Sequence, residues 1–114
     1  MPGFPSRTTI LLCLTLMAPL ALHAQEGTRN LTGSVTDTSR EPLRGAVVQL
    51  ENQNTHGIVS FITDRRGTYS FKRIGNDTDY KIWATFRGIR SKERQLDKFD
   101  TRKDAEIDLV IALH

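Results

Sequence analysis

Hydrophobic and polar positions alternate along most of the chain after residue 30. Leu31, Gly33 and Val35 share one parity, and Thr32, Ser34 and Thr36 share the other. Period-two alternation with β-branched residues predicts a half-buried strand over Leu31 to Thr38. Ser39 to Pro42 is a turn cluster, and the proline demands extended or turn backbone before it. A second strand follows, with Ala46, Val48 and Leu50 inward and Val47, Gln49 and Glu51 outward. Asn52 to Gly57 is a polar loop. Ile58 to Thr63 is a third strand, too evenly apolar for its parity to assign a face. Asp64-Arg65-Arg66-Gly67 reads as a tight hairpin turn, closed by a glycine free to take positive φ. Thr68 to Arg73 returns with Tyr69 and Phe71 inward.

Gly75 to Asp79 is a second polar turn. In the strand after it, Tyr80, Ile82, Ala84 and Phe86 form one face, and Lys81, Trp83, Thr85 and Arg87 the other. Gly88 marks a bend. Ile89 to Leu96 is polar enough for an exposed edge strand. Phe99 to Lys103 is a connection. Ala105 to Leu113 is the last strand, with Ile107, Leu109 and Ile111 on one face. No segment after residue 24 has helical periodicity. About seven short strands at regular spacing predict an all-β, seven-stranded antiparallel β-sandwich with Greek-key connections.

The first 24 residues read as a targeting segment. Arg7 supplies its positive charge, Ile10 to Leu22 an apolar stretch, and Ala24 a small residue before the expected cut. The apolar stretch is shorter than the roughly 20 residues of a spanning helix. The reading is therefore a cleaved signal peptide over 1–24, a flexible start over 25–29 and one domain over 30–114. The mature chain would have no transmembrane span and would be periplasmic or secreted. A domain of about 90 residues buries only about 60–65% of its unfolded surface. Small exported domains often add disulfides for that reason. The lone Cys13 lies in the leader, so stability must come from strand pairing and an apolar core. Cys13 is a poor lipid-attachment site, because Leu12 stands where Gly or Ala is wanted.

Overall charge is modest, at +3. It is uneven, with Arg87, Arg90, Lys92, Arg94, Lys98, Arg102 and Lys103 clustered against Glu93, Asp97 and Asp100.

The turn and core residues resemble the carboxypeptidase regulatory-like domain family. They run Gly33-x-Val35-x-Asp37, Pro42-Leu43-x-Gly45-Ala46-x-Val48, Thr63-Asp64-x-x-Gly67-x-Tyr69-x-Phe71, then Tyr80-x-Ile82-x-Ala84 and Gly88. The resemblance spans about Asn30 to Ile111 and implies a sandwich of transthyretin-like (prealbumin-like) topology. It also implies an accessory module, which in the family is usually appended to carboxypeptidases, outer-membrane receptors or large extracellular proteins. The matching positions carry shape, not chemistry.

Catalysis finds little footing. Hydrolases of 5-hydroxyisourate share this fold and resemble one another in a C-terminal Tyr-Arg-Gly-Ser and in early-strand histidines. Here the chain ends Val110-Ile111-Ala112-Leu113-His114, and the first two strands hold no histidine. Beyond the leader the histidines are His56 and His114, too few for a zinc site of three or four ligands. Arg65 and Arg66 stand where a calcium loop would need oxygen ligands. Ser34 and Ser70 lie on strands without a histidine base. The related Cna-B-type sandwiches form a Lys–Asn isopeptide bond from a first-strand lysine, whereas the first lysine here is Lys72. The residues imply no catalytic group, metal or cofactor.

Two surface features remain. Trp83 faces away from the core beside Lys81 and Arg87, a grouping suited to stacking on a sugar ring or anchoring a protein; a covering loop or edge strand is the plainer account. Arg90, Lys92 and Arg94 would point one way along the edge strand and meet an anionic polysaccharide, a lipid headgroup or an acidic partner; keeping an edge soluble is their plainer role. Export argues against nucleic acid. Asn30-Leu31-Thr32 and Asn76-Asp77-Thr78 fit the N-glycosylation pattern, which matters only in a eukaryotic source. The expectation is a non-catalytic accessory module for protein–protein contact at the cell envelope. The alternative is a carbohydrate-binding module built on Trp83, Lys81 and Arg87. The partner would be an envelope protein or a polysaccharide.

Overall fold

A computed structural model describes residues 27–113. The expected leader and His114 lie outside the described residues. The strands are β1 (Thr28–Asp37), β2 (Val47–Asn52), β3 (Ile58–Ile62), β4 (Thr68–Gly75), β5 (Tyr80–Phe86), β6 (Ile89–Arg90), β7 (Arg94–Leu96), β8 (Asp104–Glu106) and β9 (Leu109–Ile111). They form two sheets. In one, β1 lies between β4 and the pair β8 and β9; in the other the order is β3-β2-β5, with β6 and β7 both on the far side of β5. Leu31, Val35, Val48, Leu50, Tyr69, Ile82 and Leu109 fill the core between them.

The signature residues hold one another. Val35 N–H donates to the Gly67 carbonyl at 2.7 Å, and Leu43 N–H donates to the Val35 carbonyl at 2.9 Å. Gly67 sits at φ 71°, where a Cβ would come within 2.7 Å of that Val35 carbonyl oxygen. Buried Thr63 accepts from Ala46 N–H at 2.9 Å and donates to the Leu43 carbonyl. The Thr-Asp-x-x-Gly turn is thus bonded directly to the Pro-Leu-x-Gly-Ala segment, which explains why the two patterns occur together.

Asp64 organises the turn after β3. Its carboxylate accepts from Thr68 Oγ1 at 2.6 Å, Thr68 N–H at 3.0 Å and Arg66 N–H at 2.9 Å. The Thr68 hydroxyl, then the Thr68 and Arg66 amides, hold the carboxyl below its ordinary 3.8. A depressed folded-state pKa contributes stability above the unfolded value, and that contribution is lost as pH falls through the folded value. An NMR titration of Asp64 should therefore have its midpoint below 3.8, and Asp64→Asn should remove this part of the acid dependence. A midpoint at or above the ordinary value would mean that these turn bonds do not persist in solution.

Three expectations are corrected. Nine strands form among the described residues, not seven, because both expected C-terminal strands are broken. The sandwich is not wholly antiparallel, since β8 and β9 run parallel to β1. The described part of the supposedly flexible start is ordered: β1 begins at Thr28, and Arg29 is only 2% exposed.

Candidate functional site

β5 places Trp83 on the outer face of its sheet, opposite Gln49 of β2. The face is as parity predicts, but the ring is not free. Trp83 is 6% exposed. Its Nε1–H donates to Gln49 Oε1 at 2.9 Å. The Arg90 guanidinium lies 4.3 Å from the ring centroid and is itself held by Glu93 at 2.8 Å. Arg90 occupies the surface on which a sugar would stack, a cation–π contact worth about 0.5–2 kcal/mol. Trp83 emission should accordingly be blue-shifted, and Arg90→Ala should move it to the red. Red emission in the unaltered chain would contradict the stacked arrangement.

Lys81 and Arg87 do not complete a site with Trp83. Lys81 is half-buried between Glu51 of β2 and Gln95 of β7 in the sheet register. Arg87 and Gly88, at φ 51° and 79°, form the two-residue turn between β5 and β6. Positive φ at both positions is what a type I′ hairpin turn requires. The Arg87 guanidinium lies over its neighbour Phe86, 5.0 Å from the ring centroid.

The basic edge also differs from expectation. Thr85 pairs with Arg90 in β6, whereas Ile82 pairs with Arg94 in β7. One extra residue is accommodated between the two pairings, around Lys92 and Glu93, where Ser91 Oγ accepts from Ala84 N–H at 2.9 Å. Such a bulge reverses side-chain parity. Arg90 therefore lies on the outer face over Trp83. Arg94 has the inward parity of Ile82 and reaches the Asp108 carbonyl at 3.2 Å. Arg90, Lys92 and Arg94 still meet around one cleft of about 450 Å³, bordered by Leu109, Val110 and Asp108. The cleft runs between β6–β7 and β9, so the three cations share a groove although they do not share a face.

Sequence reasoning missed the sharpest surface feature. Among the described residues, β3 is an edge strand paired only with β2, and all five of its residues are exposed. Exposure is 49% at Ile58, 54% at Val59, 37% at Phe61 and 65% at Ile62. Val59 and Phe61 share the core parity of their partners Leu50 and Val48, while Ile58, Ser60 and Ile62 lie on the outer face. An edge-to-face contact between Phe61 and Phe71, 6.1 Å between centroids, fixes the strand to the body. The lack of alternation in Ile58 to Ile62 was the available signal, because a strand apolar on both sides is either central or an unprotected edge.

Among the described residues, no group of three or more His, Cys, Asp or Glu side chains is placed to hold a metal ion. His56 is exposed and lies 3.2 Å from Glu51.

The fold and these surfaces define a β-sandwich module whose signature residues build turns and core. The family model described as carboxypeptidase regulatory-like domain matches residues 30–113, and the chain belongs to that family. No curated protein matches it significantly. Among solved structures, it resembles the C-terminal domain of the shaft pilin spaA from Lactobacillus rhamnosus GG, with TM-score 0.58 and 15% identity over 76% of this chain and 98% of that one. It resembles BcpA, the major pilin subunit of Bacillus cereus, with TM-score 0.59 and 13% identity over 75% of this chain and 30% of that one. Catechol 1,2-dioxygenase from Acinetobacter radioresistens gives TM-score 0.60 and 13% identity over 81% of this chain and 54% of that one. The chain thus spans about half of the dioxygenase and under a third of BcpA. At these identities the likeness is one of fold alone.

Proposed function

We propose that the chain is an exported, non-catalytic accessory module that makes protein contacts at the cell envelope through the open edge of β3. The observation that carries this reading is the strand itself: four large apolar side chains exposed within five consecutive residues. Isolated exposed apolar residues are ordinary, but a contiguous group on an unpaired edge marks a surface awaiting a partner. The regulatory-like family and the fold shared with pilin domains support a module that works by contact. The leader-like segment over 1–24 supports export. The carbohydrate alternative has no comparable support, because a sugar could stack on Trp83 only if Arg90 left the ring.

The test is a photoreactive side chain at Ser60 in cells producing the chain, compared with one at Lys72 on β4. Defined protein adducts from position 60, absent from position 72, are expected. Adducts from neither position, or equally from both, would refute a contact role for β3.

A further inference from the structure

We infer that the occupant of the β3 edge is a second copy of this chain, paired β3 to β3 in antiparallel register about Ser60. The inference rests on the proposed contact role of β3 and specifies the partner. It begins with the backbone. Asn52 N–H donates to the Gly57 carbonyl and Thr63 N–H to the Ala46 carbonyl, both at 2.9 Å. In the β2–β3 register these bonds flank the pairs Leu50–Val59 and Val48–Phe61. Antiparallel ladders alternate bonded and open pairs. The odd-numbered residues of β3 therefore bond inward to β2, and Ile58, Ser60 and Ile62 direct their amide and carbonyl groups away from the sheet.

A two-fold axis at Ser60 sets Ile58 against Ile62 of the other copy, and Ser60 against its equivalent. Each such pair exchanges two hydrogen bonds, giving about six. The side chains suit the same register. Ile58 meets Ile62 on the outer face, and Val59 meets Phe61 on the core-parity face. A self-paired edge must also avoid like charges. β3 carries none, whereas most other edge strands do: Lys72 and Arg73 in β4, Arg90 in β6, Arg94 in β7, Asp104 and Glu106 in β8; β9 is also uncharged, but it has three residues and exposes only Val110. Charges of that kind discourage edge pairing, and β3 lacks them. The flanks are complementary. The register sets Thr55 and His56, with Glu51 beside them, near Asp64 and Arg65 of the other copy. The result is one sheet continuous across a symmetric dimer.

The test is sedimentation equilibrium of residues 1–114, expressed and processed in the host. A reversible, concentration-dependent monomer–dimer equilibrium is expected. Ser60→Pro should raise the dissociation constant at least tenfold. Its lost N–H faces outward, where an edge strand tolerates proline, so the β2–β3 pairing survives. Ile62→Lys, which places a cation beside Ile58 of the partner copy, should do the same without altering the backbone. Circular dichroism matching the unaltered chain verifies that both variants fold. A chain monomeric across the range, or a dimer that neither variant weakens, would overturn self-pairing. If the chain is monomeric while position 60 still gives adducts to a different protein in cells, the contact role stands and only the second copy is refuted.

Discussion

Gly33→Ala should cost about 3 kcal/mol or more, a large share of the few kcal/mol that hold a domain of this size together. A Cβ at this position would lie 1.8 Å from the Ile107 carbonyl oxygen, 2.8 Å from its carbon and 2.7 Å from the Tyr69 hydroxyl. The first two obstacles are backbone and cannot rotate away. Ile107 is fixed there because its N–H donates to the Thr32 carbonyl at 2.9 Å. Its carbonyl in turn accepts from the buried Tyr69 hydroxyl. The connection between β8 and β9 thus presses on β1 at the one residue without a side chain. Accommodating the methyl means lifting that connection and loosening the parallel pairing on both sides. At about 4–8 °C per kcal/mol, the melting midpoint should fall by at least about 12 °C. Gly57→Ala is the control: its nearest neighbour would be Thr55 Oγ1 at 3.4 Å, and a loss within about 0.5 kcal/mol is expected. Because the carbonyl is the closest obstacle, adding Tyr69→Phe should not rescue Gly33→Ala. Rescue would assign the clash to the hydroxyl and refute this account.

Gly33 also shows how far a one-dimensional pattern reaches. The alternation in β1, β2, β4 and β5 assigned the buried faces correctly, because each of these strands has one face on the core. The turns at Asp37 and Asp64 were legible because their bonds are local: Asp37 Oδ1 accepts from Ser39 and Glu41 N–H at 2.8 and 3.0 Å. What failed depended on neighbours distant in the chain. The break at Ile107 that requires a glycine at position 33 spans 74 residues, and nothing near Gly33 announces it. The bulge after Ser91 reverses the parity of Arg94, and parity counting assumes no bulge. The Trp83 face was correct, but its cover was not legible, because Arg90 reaches it only after the turn at Arg87 and Gly88 brings β6 alongside β5. β3 was recognised as a strand, yet its exposure depends on what lies beside it in the sheet. The candidate contact surface was therefore present in the sequence as composition and absent as position.

Arg29→Met should destabilise the domain by about 2–4 kcal/mol, although local sequence places this arginine in a polar, frayed start. Its Nε–H donates to the Gly75 carbonyl at 3.1 Å, and Nη2–H to the Thr78 carbonyl at 2.8 Å. Nη1 donates to the carbonyls of Asp97 and Asp100 at 2.8 and 3.0 Å. The guanidinium also sits 5.9 Å from the Tyr80 ring centroid. One side chain thereby satisfies four backbone acceptors in the β4–β5 turn and the β7–β8 connection, segments with little apolar surface to hold them. A buried acceptor left without a donor costs about 1–3 kcal/mol, and methionine fills the volume without donating. Lysine should recover only part of the loss, because an ammonium cannot span the acceptors that the planar fork reaches together. Hydrogen exchange separates this account from a general weakening. In Arg29→Met, amides over residues 76–79 and 97–103 should lose protection well before those of β2 and β5. Uniform loss across both sheets, or a change below about 1 kcal/mol, would mean that Arg29 fills space and does not pin the loops.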